Sequence, residues 1–321
     1  MGTGAYNKKV LMSPIAFLFP GQGSQAAGMG KALSENYAAA RAVFDEADYV
    51  LGFPISRLCF EGPEEQLRLT ENTQPALLTV SIAAWRALQE EGFRPDYVAG
   101  HSLGEYSGLV AAGSLEFAAA LRLVRNRGRY MQEAVPPGVG AMAALLRLPA
   151  ENLEGVLSEA AQGEIVSTAN FNSPDQVVIA GHAGAVHRAM ELAKAAGAKR
   201  AVLLPVSAPF HCALMEPAQR RLKADLDATE FANLAIPLIN NWQARSISTG
   251  VEAREGLYQQ VPGSVLWSNS MRLLIEAGAE RFVEVGVGAV LCGLLRNIDP
   301  ARRAVSFSEP AGLEKVRELF A

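Results

Sequence analysis

The sequence predicts an α/β protein in which a largely parallel sheet forms the main domain and a ferredoxin-like βαββαβ unit is inserted into it. Three observations point there. Short apolar runs of strand length alternate with longer segments of helical periodicity through most of the 321 residues, as in a sheet whose strands are joined by helical crossovers. A Gly-x-Ser-x-Gly pentapeptide, Gly100-His101-Ser102-Leu103-Gly104, follows directly on one of the apolar runs. Between residues 139 and 206 the rhythm changes to strand, helix, two strands around a turn, helix and strand.

Taken in order, Ile15-Ala16-Phe17-Leu18-Phe19 is an apolar strand stopped by Pro20, and Gly21-Gln22-Gly23-Ser24-Gln25 is a glycine-rich turn leading into a helix. Thr73-Gln74-Pro75 reads as the start of a long helix, with proline tolerated in its first turn. Tyr97-Val98-Ala99 is the next strand and runs into Gly100. Residues 106–112 and 118–134 are helical. In the insert, 139–148, 165–169, 177–180 and 200–206 are strands, with Asn172-Ser173-Pro174-Asp175 as the turn, and 150–161 and 183–196 are helices. After Pro209 the α/β rhythm returns, with strands at 236–240 and 282–285 and helices at 271–277, 289–298 and 312–320. The expected organisation is a main domain over 13–137 and 207–321, an insert over 138–206, and an extension over 1–12.

Composition narrows the function classes. Half the residues are hydrophobic, enough for a large core, and 19% are charged with a net charge of -4, which argues against disorder and against nucleic-acid binding. No run reaches the roughly 20 apolar residues that span a bilayer, and the first 13 residues lack the apolar core of a secretory signal. Cys59, Cys212 and Cys292 are few, distant and odd in number, so neither a disulfide framework nor a zinc site is expected. The chain reads as cytoplasmic, with Cys212 worth watching only because it follows His211.

The pentapeptide has the strand-then-helix context of a nucleophile elbow. A serine on such a strained turn needs glycine on both sides, and the following helix start offers backbone N–H groups to a developing oxyanion. The competing reading is a glycine-rich turn with an idle serine. A serine also needs a base. Of four histidines, His101 lies inside the elbow and His182 and His187 in the insert. That leaves His211, in the proline-bounded loop returning to the main domain. No Asp or Glu between Ser102 and His211 stands in a telling setting, Asp175 included, so a hydrolase triad is not evident.

The 118–134 helix carries Arg122, Arg125, Arg127 and Arg129. At about 100° per residue, three of them share a solvated face, and Arg127 points with Leu123, Tyr130 and Met131. A guanidinium there needs an anion. It is either an internal partner or a substrate carboxylate held in a bidentate clamp.

The motifs together resemble one family, the malonyl-CoA:acyl carrier protein transacylases of bacterial fatty acid synthesis. The resemblance rests on Phe19-Pro20-Gly21-Gln22-Gly23-Ser24-Gln25, Gln74-Pro75-Ala76-Leu77, Gly100 to Tyr106 (GHSLGEY) and Arg127-Gly128-Arg129-Tyr130-Met131-Gln132. It continues in Asn170-Phe171-Asn172-Ser173-Pro174, Gln176 to Gly181, His211-Cys212-Ala213-Leu214-Met215 and Glu284-Val285-Gly286. It implies a hydrolase-like core with a ferredoxin-like insert. It also implies Ser102 as nucleophile, His211 as base, the backbone N–H groups of Gln22 and Leu103 as oxyanion hole, and Arg127 on the malonyl carboxylate. His101, Asn170, Met131 and the bulky Phe210 would line the substrate pocket. In Ser264-Val265-Leu266-Trp267 the family often has Gln before Trp, as the acceptor for the histidine. Here only the backbone carbonyl of Leu266 could serve. The implied activity is ping-pong transfer of malonyl from malonyl-CoA to the phosphopantetheine thiol of acyl carrier protein, with no metal or other cofactor and a monomer as the default. Rival readings are a free-standing polyketide acyltransferase, a serine thioesterase or esterase, and a non-enzymatic carrier-protein scaffold.

Overall fold

The computed structural model describes residues 13–321, so the extension expected over 1–12 lies outside the described residues. Its strands are, in chain order, β1 (Ile15–Phe19), β2 (Tyr97–Gly100), β3 (Gly140–Leu146), β4 (Val166–Ser173), β5 (Gln176–His182), β6 (Arg200–Leu203), β7 (Leu238–Ile239), β8 (Ser246–Ile247), β9 (Arg281–Val285) and β10 (Arg303–Phe307). They form two sheets. The larger has the order β10-β9-β1-β2-β7-β8 and is parallel apart from the edge hairpin of β7 and β8.

A parallel sheet is covered on both faces, so its strands are apolar throughout rather than alternating. All five residues of β1 are buried. Phe17 and Phe19 pack on one face with Trp85, Val98 and Val283, and Ala16 and Leu18 on the other with Ala99, Trp267 and Phe282. No helix among the described residues is long and apolar enough to cross a membrane.

The second sheet is antiparallel, in the order β4-β5-β3-β6. The two strands that begin the unit's two βαβ-like halves, β3 and β5, are central, and the helices Leu153–Ala161 and Ala183–Ala195 cover one face through Val156, Ala160, Val186, Ala189 and Ala193. The opposite face, with Met142, Ala144, Val178 and Ala180, joins the core of the main sheet. The insert is therefore fused to the main body. A backbone bridge between Asn170 and Val265 adds to the seam, with Phe171 N–H donating to the Val265 carbonyl and Val265 N–H to that of Ala169, each at 2.9 Å.

One helix differs from its sequence reading in a way that matters for the site. The long helix spans Thr70–Glu90, so Pro75 lies inside it and not in its opening turn. Proline leaves the carbonyl four residues back without its helical donor. That carbonyl, of Glu71, accepts instead from Arg125 Nη1 at 2.7 Å. Arg125 belongs to the helix Phe117–Glu133. A Cβ at Gly128 would lie 2.6 Å from the Thr70 carbonyl oxygen, so the glycine allows the close approach of the two helices.

Candidate active site

Ser102 sits between the end of β2 and the helix Gly104–Ala111, with φ of +51°. A non-glycine residue is held there only when its surroundings over-determine the turn, and here they do. A Cβ at Gly100 would meet the Gly104 carbonyl carbon and oxygen at 1.9 Å, and one at Gly104 would meet the Phe19 carbonyl oxygen at 2.0 Å. His101 N–H donates to the Phe19 carbonyl at 3.0 Å, and Ser102 N–H to Asn241 Oδ1 at 2.7 Å. The glycine-rich loop after β1 packs against the elbow, with the Cβ position of Gly21 only 2.5 Å from the His101 carbonyl oxygen. The backbone N–H groups of Gln22 and Leu103 have no acceptor among the described residues.

His211 follows Pro209 and Phe210 in a loop, with φ of +60° and little exposure. Its Nε2 is 2.7 Å from Ser102 Oγ. Its Nδ1 is 2.9 Å from the Gln260 carbonyl and 3.1 Å from that of Gly263. Two carbonyls can only accept, so Nδ1 carries the proton and Nε2 presents its lone pair to the serine hydroxyl. The expected acceptor, the Leu266 carbonyl, is corrected: it caps the helix Trp267–Glu276 and accepts from Ser270 N–H and Oγ–H. Among the described residues no carboxylate bonds the histidine. Asp175 pairs with Arg147 at 3.5 Å in the insert. Burial first, and the Arg127 charge second, push His211 down to about 3, so the imidazole is neutral at neutral pH.

Arg127 is 1% exposed and stands beside the nucleophile. Nη1 donates to Gln74 Oε1 at 2.8 Å, and Nη2 to Gln260 Oε1 at 3.0 Å and to Ser102 Oγ at 3.1 Å. The guanidinium lies 5.6 Å from the centre of the Tyr106 ring. Its neighbours on the helix follow the sequence reading in part: Arg122 and Arg129 are exposed, and Arg125 is half-buried through its bond to Glu71. Among the described residues no carboxylate comes within ion-pair distance of Arg127. A buried cation held only by neutral oxygens is a receptor for an anion.

The remaining expected pocket residues are spread more widely. His101 Nε2 is 2.8 Å from Asn172 Oδ1, and its ring lies 5.4 Å from that of Trp267. Asn170, the neighbour expected for the pocket, is buried at a bulge of β4 and bridges Val265, so Asn172 is the asparagine that bonds His101. Met131 is buried with its sulfur 3.8 Å from Gln74 Nε2, and Phe210 is buried in the main core. Cys212 is buried and makes no bond to Ser102, His211 or Arg127 among the described residues. Its thiol donates to the Pro209 carbonyl and is pushed up to about 11 by burial. His182 Nδ1 accepts from Ile165 N–H, and His187 is exposed. A groove of about 390 Å³ lined by Phe53, Arg57, Gln66, Asn72 and Arg125 lies apart, and none of Ser102, Arg127 and His211 borders it.

Sequence reasoning missed Gln260, Asn241 and Gly263 altogether. Asn241 holds the elbow from both sides, its Nδ2 donating to the Gly100 carbonyl at 2.7 Å. A signal existed for it, since Asn240-Asn241 ends an apolar strand at the carboxyl edge of the sheet, where α/β proteins build sites. Gln74 and Glu105 stood in quoted motifs without a role. Gln260 carried no signal at all.

An acyl transferase domain family matches residues 16–301. The chain is 48% identical over 304 residues to a malonyl CoA-acyl carrier protein transacylase of Bacillus subtilis, covering 94% of this chain and 96% of that one. Among solved structures it is similar to an acyl carrier protein S-malonyltransferase of Vibrio cholerae, with 46% identity, a TM-score of 0.92, and coverage of 95% of this chain and 100% of the other. It is also similar to a malonyl-transacylase in complex with its holo type II polyketide acyl carrier protein, with 45% identity, a TM-score of 0.93 and coverage of 95% and 99%.

Proposed function

The chain belongs to the malonyl CoA-acyl carrier protein transacylase family of acyl transferases, and on that premise we propose that Ser102 carries the malonyl group between its two thiol partners. The activity is transfer of malonyl from malonyl-CoA to acyl carrier protein, in support of fatty acid synthesis. The observation that carries the assignment of residues is the buried Arg127 guanidinium, which has no carboxylate within ion-pair distance among the described residues and lies 3.1 Å from Ser102 Oγ.

In the first half-reaction Ser102 Oγ attacks the thioester carbonyl while its proton passes to His211 Nε2. The oxyanion is held by the Gln22 and Leu103 N–H groups, which are free to donate. The intermediate collapses with loss of the CoA thiolate, which takes the proton from His211. In the second, the carrier's phosphopantetheine thiol gives its proton to His211 and attacks the malonyl ester, and Ser102 recovers its hydrogen. Arg127 binds the free carboxylate throughout. That pairing also offsets the cation that holds His211 down, so the right substrate makes its own base stronger. Only ester and thioester bonds are exchanged, and the steps call for no cofactor. His101, Met131 and Phe210 shape the acyl pocket in this reading.

The proposed nucleophile, base and clamp meet within a single chain, so this chemistry asks for no residue from a second copy. Three buried free cysteines support a reducing, cytoplasmic setting. The test is intact-protein mass measurement after incubation with malonyl-CoA and with acetyl-CoA. Wild type gains one malonyl group and little acetyl, and Ser102→Ala gains neither. Malonyl retained on Ser102→Ala overturns the assignment. The similarity to a polyketide-serving transacylase favours one second reading, a polyketide carrier as the acceptor. Transfer rates to fatty acid and polyketide carrier proteins, compared side by side, decide it.

A further inference from the structure

Glu105 is wholly buried one helical step beyond the elbow, and the proposed chemistry leaves it unused. Its Oε2 accepts from Asn241 N–H at 3.0 Å and from Gln260 Nε2 at 2.7 Å. Gln260 ends the helix Gly250–Gln260 and touches each part of the site. Its backbone carbonyl accepts from His211 Nδ1 at 2.9 Å, its Nε2 donates to the Ser102 carbonyl at 3.0 Å, and its Oε1 accepts from Arg127 Nη2 at 3.0 Å.

A side-chain amide has two ends of nearly equal shape and opposite polarity. Only the oxygen end can face a guanidinium; turned over, the amide would set N–H against N–H beside a buried cation. The end opposite Arg127 therefore needs an acceptor that tells nitrogen from oxygen. Glu105 Oε2 is the shortest of its acceptors and the only one on a carboxyl group. Burial pushes Glu105 up to about 7, yet Oε2 already takes two N–H bonds while Oε1 has no partner, so a proton goes to Oε1 and Oε2 accepts in either state. Glu105 is also the carboxylate that stands nearest Arg127 in the hydrogen-bond network, one amide away.

We propose that Glu105 is a positioning residue that fixes the direction of the Gln260 amide and thereby aims Arg127, so that it sets selectivity for a carboxylated acyl group without touching it. The inference rests on the reading of Arg127 as the malonyl clamp. A purely structural role for Glu105, tying the end of β7 to the elbow helix, would lower folded yield but leave the preference among acyl groups alone.

The experiment measures kcat/KM for malonyl-CoA and acetyl-CoA with folded, melt-checked variants. Glu105→Ala lowers the malonyl-to-acetyl ratio by about tenfold or more, the worth of one well-placed bond to a charged group. Glu105→Gln, which keeps an acceptor oxygen toward Gln260, restores most of it. In a Gln260→Ala background, Glu105→Ala has no further effect on the ratio. A ratio unchanged in Glu105→Ala, or an equal fall with and without Gln260, overturns the proposal. Should Glu105→Ala not fold, Glu105→Asp withdraws the oxygen by one methylene while keeping the carboxyl group. It is held to the same standard: a lowered ratio supports the proposal and an unchanged one overturns it. A wild type without malonyl preference would defeat the clamp reading itself, which separates the two failures.

Discussion

Replacing Arg127 by Met keeps most of the side chain's volume and removes its charge and donors. In the proposed complex two parallel N–H bonds reach the malonyl carboxylate. Each bond to a charged group contributes roughly 1.5–3 kcal/mol net, so the pair contributes roughly 3–6 kcal/mol, or about 10²- to 10⁴-fold in kcat/KM. The substitution also strands Gln74 Oε1 and Gln260 Oε1, which lose the donors now 2.8 and 3.0 Å away, and removes the Nη2 bond to Ser102 Oγ. Those losses fall on every substrate alike and cancel in the malonyl-to-acetyl ratio. For acetyl-CoA the substitution also removes a buried cation that the substrate leaves unpaired, which works in its favour. The expected result is a collapse of the ratio by about 10²-fold or more, with acetyl transfer held or improved relative to malonyl. Single-turnover acylation followed by mass measurement reads both numbers directly. A ratio within about threefold of wild type, well short of even one such bond, refutes the clamp.

Four further outcomes follow from the same geometry. Because His211 is pushed down to about 3 by burial and then by Arg127, the base stays unprotonated well below the ordinary histidine range. The acid limb of kcat/KM should lie far under pH 6.5 and move upward in Arg127→Met, and a wild-type midpoint at the ordinary histidine value of about 6.5 contradicts this. The same shift sets the sign for stability: as pH falls below the unfolded value, the unfolded chain takes up a proton that buried His211 refuses. Denaturant melts should therefore show His211 costing stability on the acid side and nothing above about pH 6.5. Gly104→Ala places a Cβ 2.0 Å from the Phe19 carbonyl oxygen, a backbone atom that cannot swing away. It should destabilise the protein by about 3 kcal/mol or more, and a calorimetric loss under about 1 kcal/mol would contradict the packing of the elbow. The Cys212 thiol, buried and pushed up to about 11, should resist alkylation in the native protein and react after denaturation. Rapid native labelling with loss of activity would place a reactive thiol in the site after all.

Much of the scaffold was legible in the chain. The β1 strand, Ile15–Phe19, and the β2 strand before the elbow were evident from unbroken apolar runs, since a strand buried on both faces has no polar side to show. The inserted unit was legible from its change of rhythm, and its sheet order agrees with the ferredoxin-like pattern. Arg127 stood out because a charged side chain on the apolar arc of a helix breaks the pattern of its neighbours. The helix start was misjudged at Pro75. Its opening turn at Thr70 is possible because a side chain from another helix, Arg125, supplies the donor that proline lacks, and a linear reading does not register such a partner.

What the sequence determined alone was local: where apolar periodicity makes a strand or a helix, and where close packing of the turn admits only glycine on either side of a serine. Which group steadies His211, and which way the Gln260 amide faces, was decided by packing between segments as far apart as residues 105, 211 and 260. A backbone carbonyl is present at every residue and leaves no mark in the sequence, so only the folded chain could choose Gln260 and Gly263 over Leu266.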